Sequence, residues 1–256
     1  MSEPAPAPGR RRGLLLPAVL AAIGFAVLIS LGTWQLERKA WKEALIDTLS
    51  RRLAEQPAAL PPAERWPGLD AEDDEFRRVR FRAEFLHDQE ALVYTTGSSL
   101  RSDASGLGYW VFTPARLPDG RLVVVDRGFV PQSAKDPAAR AAGQVAGPID
   151  IVGVMRWPEQ PGLFTPASHP AHNLWFARDH LAIASDRHWP AVAPFYVEQE
   201  APAPPGGLPS ASPLQVRLPN NHLQYAITWY GLAAVLAGVF AVYARGQWRE
   251  RRGFTA

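Results

Sequence analysis

The sequence contains no cysteine among its 256 residues. This absence excludes disulfides, CxxC thiol chemistry, haem attachment through thioethers and thiolate copper relays. Any metal chemistry must therefore use histidine, methionine or carboxylate side chains. The sequence also lacks a G-x-S-x-G elbow and a nucleotide-binding glycine pattern, so neither a serine hydrolase nor a nucleotide-dependent enzyme is indicated.

Charged residues are absent from two long stretches. Residues 14–31 form an uncharged run of 18 residues, nearly all apolar, and residues 222–244 form a second run of 23. Because a membrane-spanning helix needs about 20 apolar residues, we predict two spans around one domain. The predicted order is a tail (1–12), a first transmembrane helix (13–36) continuing as an amphipathic helix to about residue 55, a β-rich domain (56–218), a second transmembrane helix (219–244) and a basic tail (245–256).

Seven arginines flank the two apolar runs on their outer sides. Basic residues beside membrane helices stay on the cytoplasmic side, so both termini are predicted to be cytoplasmic and the central domain lies outside, in the periplasm of a bacterium or the intermembrane space of a mitochondrion. The remaining chain, without Glu3 and Glu250, has 20 basic and 23 acidic side chains. The partner indicated is a lipid bilayer, with no nucleic acid. The arginines are Arg10, Arg11, Arg12, Arg245, Arg249, Arg251 and Arg252.

The central segment changes from a helical to an alternating pattern. Apolar and charged residues alternate through residues 76–86, which predicts a half-buried strand. Pro118-Asp119-Gly120 predicts a turn between two further strands. The fold class predicted is therefore α+β: two transmembrane helices that flank a mainly antiparallel β domain, able to close as a barrel, with short helices. Other strands are predicted at residues 91–96, 149–157 and 195–198.

Two further segments of this domain can be interpreted from their sequence. Asp126-Arg127-Gly128 can be a structural ion pair at a β-bulge or a functional polar pair. Residues 201–213 (APAPPGGLPSASP) are rich in proline and small residues, so we predict a flexible linker that returns the chain to the membrane.

A histidine lies where the second apolar run begins. His222 is at the mouth of the predicted helix, and Tyr225 and Trp229 share its helical face at three and seven residues further on. A neutral imidazole at this position can ligate a metal or a haem iron. An interfacial histidine in an aromatic belt fits the same pattern, and the residues alone leave both interpretations open.

Trp34, Arg38 and Trp41 fall on one face of the first predicted helix. A guanidinium between two indoles can form cation–π contacts, or it can pair with a carboxylate, a lipid or a haem propionate. A plain interfacial tryptophan belt is the alternative.

Three motifs resemble the signature regions of a known family. LGTWQLERKAWKEALI (31–46), VDRGFVP (125–131) and PNNHLQYAITWYGLA (219–233) are similar to those of the Surfeit locus family of cytochrome c oxidase assembly proteins. Their order, their spacing and the two-span layout agree over nearly the whole chain. The middle motif is weaker, because the family commonly has Asn and Trp where this chain has Asp126 and Phe129.

This resemblance implies an assembly factor of the bacterial inner membrane, which is not an enzyme and which helps haem a reach oxidase subunit I. The family histidine thought to bind the iron corresponds to His222, and Trp34, Arg38, Tyr225 and Trp229 are the further residues that we expect to contact the cofactor. The expected cofactor is haem a, and the expected partners are cytochrome c oxidase subunit I, haem a synthase and the lipid bilayer. The alternative is a haem-free membrane scaffold that holds oxidase subunits during assembly.

Overall fold

The structure is a computed structural model that describes residues 14–98, 100–101, 103–215 and 220–253. The chain divides into two compact units. One comprises Met1–Leu45 with Pro219–Ala256, and the other comprises Ile46–Leu218. The α-helices are α1 (Leu15–Ala54), α2 (Ala71–Asp74), α3 (His180–Asp186) and α4 (His222–Gly253).

The first unit contains α4 and the part of α1 up to Leu45. The last residues of α1 belong to the second unit. In the described part of the chain, α1 and α4 are the two helices long and apolar enough to cross a membrane, with mean hydropathies of 2.4 and 1.8 in their most apolar windows. Little of either apolar window is covered by protein, whereas a core helix of a soluble protein would be buried. Pro17 lies in the first turn of α1, where a missing N–H costs little. These properties indicate insertion into a membrane.

Two glycines of α1 let α4 approach closely. A Cβ atom added to Gly32 would lie 2.8 Å from the ring of Tyr230, and one added to Gly24 would lie 3.2 Å from Leu236 Cδ2. The Thr33 and Tyr230 hydroxyls are also within hydrogen-bonding distance, at 3.1 Å. Small residues at a helix contact permit this close packing in membranes, so the glycines fix the register between the helices.

The second unit is built on one seven-stranded sheet. The sheet order is β1-β2-β6-β7-β5-β4-β3, and an additional pairing between β2 and β4 closes five strands into a barrel. The predicted fold class is therefore confirmed. The strands are β1 (Ala58–Ala59), β2 (Arg78–Phe85), β3 (Ala91–Gly97), β4 (Ser105–Arg116), β5 (Leu122–Pro131), β6 (Pro148–Arg156) and β7 (Val192–Ala201).

Apolar side chains pack on both sides of the barrel wall. Phe81, Ile151 and Phe195 belong to one buried cluster. A second cluster contains Trp110 of β4 and Ile183 of α3. Strand β5 lies between the two clusters and is buried along almost its whole length, which explains why its sequence shows no clear alternation.

A buried charged cluster lies between β5 and β7. Asp126 and Glu198 are neighbours in the parallel register of these strands, and both are almost completely buried. Arg156 contacts Glu198 at 3.1 Å, and Arg101 and Arg178 each lie 3.6 Å from it. Burial, with the adjacent Glu198 carboxylate, raises the pKa of Asp126 to about 7. Glu198 is thus the carboxylate that contacts the arginines, and burial favours the protonated form of Asp126.

The ion-pair interpretation of Asp126 and Arg127 is wrong. Successive strand residues face opposite sides of a sheet, and the Asp126 carboxylate accepts a hydrogen bond from the Gly128 backbone N–H at 3.0 Å. Arg127 instead donates to the Gly143 carbonyl and contacts His87. The Asp126 and Arg127 side chains therefore contact different parts of the domain.

The prediction of a flexible linker at residues 201–213 is also wrong. Ser210 exchanges two backbone hydrogen bonds with Phe129, at 2.7 and 3.0 Å, and its hydroxyl donates to Asp103 at 2.6 Å. Gly128 has a φ of +118°, and a Cβ atom there would collide with the Ser210 carbonyl. Backbone pairing therefore holds this proline-rich segment on the domain.

Candidate functional site

The first residue of α4 is held by a side chain of α1. His222 Nδ1 lies 2.7 Å from the Gln35 side-chain oxygen Oε1. Because an amide oxygen can only accept a hydrogen bond, Nδ1 carries the proton. In the neutral ring, Nε2 then has a free lone pair, and it makes no hydrogen bond to a described residue. This tautomer is the one required of an imidazole that binds a metal through Nε2.

Helix packing explains why these two side chains meet. Ala226 and Ala233 follow His222 along α4 and are each only 1% exposed, so this small-residue face is the one that packs. On α1, Gln35 lies one turn after Gly32, which contacts Tyr230 of α4. Packing between these two helix faces brings His222 and Gln35 together at one end of the helix contact.

Two of the aromatic residues predicted for the site are more than half exposed. Trp34 is 53% exposed and Tyr225 is 55% exposed. The Arg38 guanidinium lies 3.8 Å from the centroid of the Trp41 ring, which gives a cation–π contact. Within the described residues, Arg38 forms this contact with Trp41 and none with Trp34. Of the two indoles between which the Arg38 guanidinium could lie, the structure shows a contact with that of Trp41.

Trp229 differs from the other aromatic residues of the site. Its indole Nε1 is buried and has no hydrogen-bond partner among the described residues, and the same holds for Asn220 Oδ1. Buried polar atoms are normally paired. These two unpaired atoms, near the start of the helix that carries His222, are available to a polar group of a ligand.

Sequence reasoning missed Gln35. It lies within the first motif, between Trp34 and Arg38, but on the neighbouring face of the helix. The signal available was its spacing of three residues after Gly32, because residues three apart share a helix face. Identifying its partner required the register between two helices that are far apart in the chain.

These residues fit a haem group. A haem needs an unprotonated imidazole nitrogen, apolar surface for the macrocycle and positive charge for its acid groups. His222 provides the first, Trp34 and Tyr225 the second and Arg38 the third. In the described residues, no group of three or more His, Asp or Glu side chains could cage a metal ion.

Comparison with known proteins identifies the family. A family model described as the SURF1 family matches residues 22–234. The chain belongs to the SURF1 family. The match covers most of α1, the whole β domain and the first part of α4, and so it includes the residues of the candidate site.

Full-length relatives support this membership. The chain is similar to a SURF1-like protein of Monosiga brevicollis. The identity is 38% over an alignment of 259 residues, gaps included, which covers 98% of this chain and 95% of the relative. The chain is also similar to Surfeit locus protein 1 of Rattus norvegicus, at 35% identity over 82% of this chain and 69% of the relative. Surfeit locus protein 1 of Homo sapiens is 32% identical over 84% of this chain and 74% of the relative. None of these three names designates an enzyme.

Proposed function

We propose that this SURF1-family protein is an assembly factor of cytochrome c oxidase, which binds haem a at the membrane interface through His222 and assists its insertion into oxidase subunit I. The observation that carries the proposal is the Gln35–His222 hydrogen bond, which leaves the lone pair of Nε2 free to bind a metal. The motifs in and around both helices, which resemble those of oxidase assembly proteins, support the assembly role.

The proposed chemistry of the chain is the supply of one oriented nitrogen. A bound haem would supply an iron that can take an imidazole nitrogen as a ligand, and His222 would provide that nitrogen. The Gln35 side-chain oxygen accepts a hydrogen bond from Nδ1–H and so fixes both the tautomer and the orientation of the ring, as the outer partners of metal-binding histidines generally do. If His222 is the one nitrogen that this chain supplies, a receiving subunit would have a single protein ligand to replace.

The remaining site residues bind without reacting. Arg38, stacked on Trp41, provides a permanent positive charge for a carboxylate. Trp34 and Tyr225 present exposed aromatic surface, and Trp229 offers its unpaired indole N–H. Together they favour a flat apolar ligand with acidic groups.

The proposed location follows from the two apolar helices and their flanking arginines. We place the protein in the inner membrane of a bacterium, with both termini in the cytoplasm and the β domain in the periplasm. The proposed partners are oxidase subunit I, which receives the haem, and haem a synthase, which delivers it.

Co-purification tests this proposal. The full-length protein is purified in mild detergent from cells that make haem a, and its haem content is measured by absorption. We expect haem in the parent and in Gln224→Ala, an exposed neighbour in the same turn, and none in His222→Ala. Haem-free parent protein that still co-purifies with subunit I would support the scaffold function instead.

A further inference from the structure

Two large apolar side chains project from the β domain into solvent. Leu163 and Phe164 are each 93% exposed, the highest values for large apolar residues in the described part of the chain. They occupy the two central positions of a β-turn, in which the Thr165 N–H donates to the Gly162 carbonyl at 3.0 Å. The Gly162 N–H also donates to the Thr165 hydroxyl at 2.8 Å. We call residues 162–165 the apolar turn.

The composition of the apolar turn is unusual for its geometry. Central turn positions favour Pro, Asn, Asp, Ser and Gly, because these residues suit the backbone and interact well with water. Here two hydrogen bonds hold the turn, so that Leu163 and Phe164 project outwards together. A well-formed turn that exposes adjacent apolar side chains indicates a site that contacts another apolar phase.

The surrounding segment contains no formal charge. Residues 160–177 include no Asp, Glu, Lys or Arg, although such residues make up 20% of the chain. No charged side chain of this segment would therefore lose its hydration if the turn entered a low-dielectric medium.

The base of this segment is fixed to the domain. Arg178 donates to Glu159 at 2.6 Å and lies 3.6 Å from Glu198. Arg101 also lies 3.6 Å from Glu198 and donates to the Ser210 carbonyl. The loop base and the segment that leads out of the domain are therefore held by the same buried cluster.

The outgoing segment is a short tether to the second apolar helix. The Gln215 N–H donates to the Leu100 carbonyl at 2.7 Å, and only six residues lie between Gln215 and His222 in the sequence. A chain of that length spans at most about 25 Å. A short covalent connection to a membrane helix raises the effective concentration of lipid for any apolar site on the domain.

We propose that the apolar turn is a membrane-contact site, at which Leu163 and Phe164 insert into the boundary between the headgroups and acyl chains of the bilayer that holds the two apolar helices. Leu and Phe are typical of residues that anchor a protein in this boundary. The absence of charge means that insertion depends on apolar burial and requires no anionic lipid. The proposal is independent of haem binding by His222.

The absence of cysteine from the chain makes single-site labelling a direct test. Leu163→Cys and Phe164→Cys are each labelled with the fluorophore NBD in the full-length protein, in phosphatidylcholine nanodiscs at pH 8. Asp119→Cys, in an exposed turn at another site of the domain, is the matched control. Because the altered side chains are exposed, the variants are expected to fold. Doxyl groups at acyl carbon 5 of the lipid serve as the quencher.

We expect blue-shifted emission and strong quenching at positions 163 and 164, with water-like emission and little quenching at position 119. Replacing one third of the lipid with phosphatidylglycerol should leave the quenching unchanged. Water-like emission and no quenching at positions 163 and 164 would overturn the proposal and would point to a protein partner for the turn. Quenching that appears only with phosphatidylglycerol would also overturn it, because an electrostatic contact would then hold the domain.

Discussion

His222 and Gln35 are joined by a hydrogen bond of 2.7 Å between Nδ1 of the imidazole and the amide oxygen. This contact links the first and third sequence motifs through one pair of side chains. It also assigns different roles to the two ring nitrogens. Nδ1 orients the ring, and Nε2 remains available to a ligand.

Gln35→Leu should weaken haem binding while His222 is retained. The leucine has similar volume but accepts no hydrogen bond, so the ring loses its fixed tautomer and orientation. Loss of such an outer partner typically lowers metal affinity by about 10- to 100-fold. The dissociation constant is measured by haem titration in detergent.

The matched variant is Gln35→Glu, which retains an acceptor and makes the imidazole a stronger electron donor. We expect it to preserve binding and to shift the haem reduction potential downwards. Unchanged affinity in Gln35→Leu would show that the hydrogen bond does not orient a ligand.

Gly32→Leu should separate α1 from α4. A Cβ atom added at position 32 would already lie 2.8 Å from the Tyr230 ring, so the rest of a leucine side chain would have no space. Displacement of the helices would move Gln35 away from His222, so both the melting temperature and the haem content should fall. Gly231→Leu is the control, because a Cβ atom there meets nothing within 4 Å. Equal effects of the two substitutions would contradict this account of the helix contact.

Arg38→Ala should weaken haem binding more than Arg38→Lys does. The lysine preserves the positive charge, although it loses the planar stacking on Trp41. If the charge pairs with an acid group of the ligand at an exposed position, the affinity of the parent should decrease with added salt. We expect the salt dependence to be smaller in Arg38→Ala, and an identical dependence would exclude this pairing.

Asp126→Asn should stabilise the protein above neutral pH. The pKa of this carboxyl is raised to about 7 in the folded state, from an ordinary value of 3.8. Between pH 3.8 and about pH 7, the folded state therefore binds this proton more tightly than the unfolded state. Stability therefore falls as pH rises through this window, at up to about 1.4 kcal/mol per pH unit for a single group. Asparagine resembles the protonated acid and removes this loss.

Thermal melting of the parent, Asp126→Asn and the exposed control Asp150→Asn is measured at pH 5.5 and pH 8. The melting temperature of the parent should fall more between the two pH values than that of Asp126→Asn, whereas Asp150→Asn should follow the parent. A parallel pH dependence in the parent and Asp126→Asn would show that Asp126 is not the group responsible.

Several elements were predictable because one residue type or one exposed face determined them. The turn at Pro118-Asp119-Gly120 forms as predicted, with a hydrogen bond from the Gly120 N–H to the Leu117 carbonyl at 2.9 Å. Strand β2 alternates in sequence because one face is packed and the other is largely exposed. The two long helices were evident from their uncharged runs.

Other features depend on contacts between distant segments. The Asp126–Glu198 pair arises from the parallel register of β5 and β7, which composition does not reveal. The proline-rich segment was mistaken for a linker because its order comes from pairing between Ser210 and Phe129. The candidate site was only partly predictable: His222 was identified at its helix end, but Gln35 depends on the register set by Gly32.

The most direct test of the central hypothesis is the electron paramagnetic resonance and absorption spectrum of the full-length protein purified with haem a, compared with that of His222→Ala. We predict an axial imidazole signature in the parent and its loss in the variant, together with partial recovery of the haem signal when imidazole is added to the His222→Ala protein. The same haem content and the same axial spectrum in both proteins would contradict the assignment of His222 as the iron ligand.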